Sequence, residues 1–424
     1  MNKYFFLTMV LILDLNGEPF TLAVSAQKNE KTKIMLALIG KKDEQSTFTS
    51  NLLKKALEFK DQCAVTADFF PAILSKQEAL AYQKLGYSYI LFIESNADHF
   101  AWHLFDIEDG QMKKNKKVAK SGLIPRASIY SLADSIWQTL TGEPGIFSVK
   151  LAYTKEVPAK KGLHYTHIYI ADYDGSNEEL LVQTPTINVA PRWNKDLNRP
   201  LLFYSENTNS NMRLMAVDMH KKKIVASNFD GLNMLPAFSP DGSGVVYCAT
   251  RGSGSCQMYH WSHKKIKKIT NNEGNNFAPA FSDDGKTIYF SSDFEANKPQ
   301  IYAITLPTGQ LTRITHDGYC VSPSYNASRN QLAYAKMVNG VMQLFTYDFT
   351  TQEHRQLTFD SAQKEECAWS ACGNFLLCPV DTGKRSRIAL FNVNTNEYKY
   401  VTDSNDRCAN PALSCIYNQY PLIS

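Results

Sequence analysis

Pro279-Ala280-Phe281-Ser282-Asp283-Asp284-Gly285 opens a stretch that continues as Thr287-Ile288-Tyr289-Phe290-Ser291, Gln300-Ile301-Tyr302-Ala303-Ile304 and Leu311-Thr312-Arg313-Ile314-Thr315. Each run is short and rich in β-branched and aromatic residues, so it reads as a strand. Asp284-Gly285 and Pro307-Thr308-Gly309 supply the dihedrals that tight turns require. The opening triplet recurs as Pro191-Arg192-Trp193, Pro236-Ala237-Phe238, Pro323-Ser324-Tyr325, Cys367-Ala368-Trp369 and Pro411-Ala412-Leu413, at a spacing of 43 to 45 residues. A steady period of that length with β-rich content marks a propeller, one four-stranded blade per repeat.

Third-strand segments also occur six times, from Ile168-Tyr169-Ile170 to Ile388-Ala389-Leu390, but they are displaced by one blade from the triplets. The first blade lacks an opening triplet, and the last triplet has no blade after it. Closure resolves both: the C-terminal strand completes the first blade and removes the exposed sheet edges.

Upstream, residues 33 to about 140 alternate strand and helix patterns. Lys33 to Ile39 is a buried-type strand, and Leu52, Leu53, Ala56, Leu57 and Phe59 form a helical stripe. Val65 to Phe70 and Tyr89 to Ile93 are further strands. Between them Ser75-Lys76-Gln77-Glu78 is a capping box, and Gly86 is a left-handed helix terminus. Trp102 to Ile107 leads to a hairpin at Asp109-Gly110, and a final helix follows Pro125. The expected fold is therefore an α/β N-terminal domain followed by an all-β six-bladed propeller closed by the C-terminal strand, with domains at 27–141 and 142–424.

Residues 1–26 read as a signal peptide. Lys3 precedes the apolar run Tyr4 to Leu13, and the small residues Ser25-Ala26 follow. That run is shorter than the roughly 20 residues needed to span a bilayer. The expected location is the periplasm, after export. A formal net charge of +4 over 424 residues is too mild for a nucleic-acid binder. Lys113, Lys114, Lys116, Lys117 and Lys120 read as one solvated face of a hairpin.

The nine cysteines form no CxxC pair, which argues against structural zinc. An oxidising compartment permits disulfides. Cys248 with Cys256, and Cys372 with Cys378, flank expected hairpin turns, which leaves open both cross-strand bridges and small core thiols.

Catalytic patterns are absent: there is no Gly-x-Ser-x-Gly elbow and no HExxH, and no histidine recurs at one repeat position. Phe238-Ser239-Pro240-Asp241-Gly242 and its echoes read as turns rather than metal loops, because Trp369-Ser370-Ala371-Cys372-Gly373 keeps the glycine and loses the carboxylate. Asp172-Tyr173-Asp174-Gly175 offers two carboxylates, a weak match to the six or so oxygens that calcium takes. No catalytic, metal or cofactor residue is expected.

Arg126-Ala127-Ser128-Ile129-Tyr130-Ser131-Leu132-Ala133-Asp134, then Leu140-Thr141-Gly142-Glu143-Pro144-Gly145-Ile146-Phe147, then Ala171-Asp172-Tyr173-Asp174-Gly175 and the Pro-Ala-Phe-Ser-Pro-Asp-Gly repeats together resemble the TolB family, soluble periplasmic components of the Tol-Pal envelope system. The resemblance covers roughly 82 to 414. Tyr130 stands where the family often has His, and residues 27–33 depart from its TolA-reading segment.

The resemblance implies a non-catalytic scaffold serving outer-membrane integrity and constriction at cell division. Its implied partners are a Pal-type peptidoglycan-associated lipoprotein at one channel mouth and a TolA-type inner-membrane protein at the N-terminal region. It places the partner-binding positions before the anchor prolines: Leu232 and Leu235 before Pro236, and Phe277 before Pro279, with Asn233, Asn276 and Glu366 at equivalent rims. Channel packing is the competing reading of Leu235 and Phe277. The alternatives for the whole protein are a propeller enzyme acting on a polysaccharide and a carbohydrate-binding envelope protein.

Overall fold

The computed structural model describes residues 31–414, apart from 61, 121–124, 159–163, 197–198, 209–210, 252–253, 296–297 and 404. The expected signal peptide and Cys415 lie outside the described residues.

The N-terminal region begins with strand β1 (Thr32–Ile39) and helix α1 (Glu44–Glu58). It continues with β2 (Cys63–Phe70), the short helix α2 (Lys76–Ala81), β3 (Tyr89–Ser95), β4 (His99–Asp106), β5 (Gln111–Ala119) and helix α3 (Pro125–Thr141). The sheet order is β2-β1-β3-β4-β5, with β1 parallel to both neighbours. A central parallel strand is covered on both faces, which explains the unbroken apolar run of β1. Its alternate residues serve two layers. Ile34, Leu36 and Leu38 pack with α1 and α3, while Met35 and Ala37 pack with Ala79 of α2 and with Ile90 and Phe92. Asp43 and Ser46 form a capping box at α1, and Ser75 and Glu78 form one at α2. Gly86 closes the following turn at φ 80°. The lysine-rich β5 is almost wholly exposed, as a solvated face.

Six four-stranded sheets follow. Five are sequential meanders. The sixth, called blade 1 here, pairs Cys408–Leu413 with Lys150–Pro158, so the C-terminal strand is its innermost member and the ring is closed. The inner strand of the reference blade spans Asn276–Phe281, starting three residues before the expected proline. A bulge lies between Phe277 and Ala280, where Ala278 has φ 52°. The Asp-Gly turns form as read. Asp241 accepts from Ser239 Oγ at 2.6 Å and from Ser243 N at 3.0 Å, which pulls its carboxyl down to about 2, the Ser239 bond being the larger cause.

One apolar core runs through both regions. Residues of α1 and α3 share it with Phe147, Leu151, Tyr153 and Tyr173 of blade 1 and with Phe375, Leu377 and Ile388 of blade 6. The junction motif now has a physical reason. Asp134 of α3 accepts from the backbone N–H of Phe147 at 2.9 Å and of Ser148 at 3.0 Å. A Cβ on Gly145 would stand 1.9 Å from the Asp134 carboxylate, so only glycine fits.

Asp172 and Asp174, weighed above as a cation site, are ion-pair partners across the same junction. Asp172 is fully buried, accepts from Arg126 Nε at 2.9 Å and Tyr130 OH at 3.1 Å, and pairs with Lys150. Asp174 pairs with Lys55 of α1 at 2.5 Å. Removing one member of a buried, hydrogen-bonded charge set strands the others. Asp172→Asn should therefore lower unfolding free energy by roughly 3 kcal/mol in urea denaturation, with a change under about 0.5 kcal/mol, the ordinary surface value, counting against the junction.

Lys60 is also buried there, its Nζ 4.5 Å from the Trp137 ring centroid, 3.9 Å from the Glu143 carboxylate and 3.5 Å from Pro144 O. Burial is the main influence on its pKa and lowers it below the ordinary 10.5, against the opposing pull of nearby anions, Glu143 among them. Between those values the unfolded chain binds a proton that the fold has released, so this group favours folding progressively as pH rises through that window. Urea denaturation of Lys60→Met beside the wild type should show the difference moving toward the wild type as pH climbs into the alkaline range. A pH-independent difference would refute the assignment.

Candidate partner-binding channel mouth

The innermost strands of all six blades converge on a central cavity of about 450 Å³, lined by Arg192, Leu235, Phe238, Phe281, Tyr325 and Trp369 among others. The residue just before each anchor stands in the left-handed region: Ala190 at φ 51°, Leu235 at 52°, Ala278 at 52°, Ser322 at 58°, Glu366 at 53° and Asn410 at 51°. None is glycine, so each position costs on the order of 1 kcal/mol. The ladder breaks beside these residues in five of the blades. A bulge bends its strand and re-aims a side chain. Six left-handed residues thus stand at one register, and Leu235, Ala278, Ser322 and Glu366 among them line the cavity.

Polar contacts gather on one side of this ring. Glu366 Oε2 accepts from Asn410 Nδ2 at 3.1 Å and lies 3.5 Å from Arg192 Nη2, which ties blades 6, 1 and 2 together. Across the ring Leu235 is half-buried against the core of blades 3 and 4. The hub therefore offers a pre-ordered ring of mixed chemistry, with the Glu366, Asn410 and Arg192 contacts on one side and apolar Leu235 and Ala278 across from them. Among the described residues no group of three or more His, Cys, Asp or Glu is arranged to hold a metal ion. Trp193 and Trp369 are nearly buried, as core residues rather than stacking platforms.

The six sequence-derived positions fall into three kinds. Leu235 and Glu366 share the bulge register and line the cavity. Leu232 is 38% exposed on the approach to its strand, outside the lining. Phe277 is half-buried between blades 4 and 5, beside Val321 and Met342.

Asn233 and Asn276 stand three residues before their anchors, not at the register of Glu366, and both are fully buried. Asn233 accepts from Ser227 Oγ at 2.8 Å and Phe229 N at 3.1 Å and donates to Met212 O at 2.9 Å. Asn276 accepts from Ser292 Oγ at 2.9 Å and donates to Asn272 Oδ1 at 2.8 Å. These amides peg the blade-to-blade connections and leave nothing for a partner to touch. The sequence reading passed over Ser322 and Asn410, although the position before each anchor triplet was the signal that finds them; Arg192, inside its triplet, carried no such signal.

Residues 137–417 match the family model of the TolB beta propeller domain. The Tol-Pal system protein TolB of Gluconobacter oxydans (strain 621H) is 29% identical over 153 residues, 36% of this chain and 33% of that protein. The Tol-Pal system protein TolB of Francisella tularensis subsp. mediasiatica (strain FSC147) is 34% identical over 131 residues, 30% of this chain and 29% of that protein. The match thus spans about a third of the length of these curated relatives. The crystal structure of TolB from Acinetobacter baumannii superposes with a TM-score of 0.76 at 21% identity, over 91% of this chain and 96% of that one. The likeness covers the α/β region as well as the ring. With two thirds of its length matched by that one model, the chain belongs to the TolB propeller family.

Proposed function

We propose that this protein is a non-catalytic periplasmic scaffold of the Tol-Pal system, exported by a signal peptide at 1–26, with an α/β domain at 27–141 and the propeller at 142–424. Its channel mouth binds a Pal-type, peptidoglycan-associated lipoprotein, and its N-terminal region contacts a TolA-type inner-membrane protein. The work it serves is outer-membrane integrity and constriction at division. The family match over 137–417 carries this reading.

The hub supports the reading physically. Bulge residues held by backbone geometry lose little conformational entropy on docking, so a partner gains affinity from pre-order. The mixed arc of Arg192 and Glu366 facing apolar Leu235 suits a protein surface with an apolar anchor and a polar rim. No helix among the described residues is long and apolar enough to cross a membrane.

Affinity capture from an envelope extract should recover a peptidoglycan-bound lipoprotein. Leu235→Arg replaces the apolar anchor by a further cation at the mouth and should weaken capture at least tenfold, about 1.4 kcal/mol, with unfolding unchanged. Glu366→Arg should do the same by breaking the pair with Arg192. Asn276→Ala should behave oppositely. It removes a buried peg, costs roughly 2 kcal/mol of stability, and leaves capture by the folded fraction intact. Recovery of glycan alone would overturn the reading. Deleting residues 27–33 should abolish binding of a TolA-type protein, and unaltered binding would remove the N-terminal half of the proposal.

A further inference from the structure

In five inner strands the anchor proline stands next to a cross-strand pair, and extending the register by one residue gives the position opposite it. Pairing of Arg192 with Phe203, Ala237 with Val246, Ala280 with Tyr289, Ser324 with Ala333 and Ala412 with Ala152 sets the frame. One residue further along, Pro191 faces Tyr204, Pro236 faces Tyr247, Pro279 faces Phe290, Pro323 faces Tyr334 and Pro411 faces Tyr153. Five blades therefore use proline against an aromatic ring. In blade 6, Ala368 pairs with Leu377, so the same two positions are Cys367 and Cys378. Both members of the pair are replaced together, and both by cysteine.

We propose that Cys367 and Cys378 are a disulfide-forming pair, which staples the inner strand of blade 6 to its neighbour.

Three observations carry this. First, both side chains lie in one core cluster, at 9% and 0% exposure. Second, the ladder phase is right. Ser370 N donates to Phe375 O at 2.9 Å, and alternation along an antiparallel pair then makes Cys367–Cys378 a non-hydrogen-bonded pair. Such pairs have Cα atoms about 4.5 Å apart, inside the window of about 4.4–6.8 Å that a disulfide bridges. Proline at the same position in the other blades agrees, since no backbone N–H is needed there. Third, the paired strand of blade 6 is the shortest inner strand, only Ala368–Trp369. A staple adds restraint where the ladder has least. The thiol of Cys367 is raised chiefly by burial and further by the adjacent Cys378 sulfur, consistent with direct contact.

The other cysteines fit less well. Cys372, left open above as a partner of Cys378, sits in the turn with its sulfur 3.3 Å from Ser370 Oγ. Cys248 and Cys256 also bring their thiols together, but Cys248 faces Met258, which leaves Cys256 on the diagonal, where Cα atoms are about 7–8 Å apart.

The chemistry is a thiol–disulfide exchange. The two thiols lose two protons and two electrons as the S–S bond forms, and a disulfide-bearing oxidant accepts them and leaves as two thiols. Because both sulfurs are buried, the exchange takes place while the hairpin folds. The bridge would fix the backbone beside Glu366, the bulge residue that meets Arg192 and Asn410 at the channel mouth.

Formation in the cell rests on the periplasmic reading; the pairing does not. The full chain, reduced and unfolded, is refolded in a mixture of reduced and oxidised glutathione. It is then denatured in iodoacetamide without reductant and mapped by mass spectrometry. A peptide linking Cys367 to Cys378 is expected. Alkylated thiols at both positions, or either residue bridged elsewhere, would overturn the proposal. Reduction of the refolded protein should lower Tm by about 5 °C, and it should leave Tm unmoved in the double variant C367P/C378Y, which restores the pair used by the other blades. An equal shift in both proteins would also overturn it. Linked residues after refolding but free thiols in protein recovered from cells would count against export, not against the pairing.

Discussion

The hydrogen-bonded seam between Cys408–Leu413 and Lys150–Pro158 is the constraint on which the rest depends. Six blades in an open row would leave the first without an inner strand and two edges unpaired. The seam removes both faults by joining segments about 255 residues apart. It is reinforced beyond the ladder: Thr154 Oγ1 donates to Ala409 O at 3.0 Å, Ser414 N donates to Lys150 O at 2.9 Å and Lys150 N donates to Ser414 Oγ at 2.7 Å. Lys150 also reaches Asp172, which holds Arg126 of α3. The strand that accepts the tail thus begins at the charge cluster that docks the N-terminal region. Ring closure and domain docking share one strand.

Closure also sets the character of the hub. Each blade contributes one left-handed residue at one register: Ala190, Leu235, Ala278, Ser322, Glu366 and Asn410. Backbone geometry is repeated sixfold while side-chain chemistry is not. The strain of a left-handed non-glycine residue persists only where surrounding structure over-determines it, and two neighbouring blades plus the inner ladder do so here. The result separates two demands: the ring fixes where six side chains stand, and the sequence is free to choose what they are.

The propeller was legible because its signal is local and repeated. The strands from Thr287, Gln300 and Gln310 begin within one residue of the pattern, and closure followed from the offset between two counts of repeats. What was not legible depends on contacts distant in sequence. Asp172 looked like half of a cation site because its partner Arg126 lies 46 residues away on a helix. Cys378 looked like a partner for Cys372 because both flank one turn, whereas strand register gives it to Cys367. Asn233 and Asn276 were placed at the rim by repeat register from the family resemblance; here their amides satisfy buried backbone carbonyls and hydroxyls. The ring of left-handed residues escaped because positive φ is ordinarily read from glycine, and none of its six members is one.

Blade 6 is where these strands of argument meet. Its second strand, Phe375–Asp381, sends Phe375 and Leu377 into the core shared with α1 and α3. Lys60 extends over the Phe375 ring, and Asn374 donates to Glu143 at 2.5 Å. The same strand pairs Leu377 with Ala368, two residues from Glu366 at the channel mouth. Blade 6 therefore carries the docking face of the N-terminal region on its second strand, and Glu366, which meets Arg192 and Asn410 at the mouth, at the approach to its first.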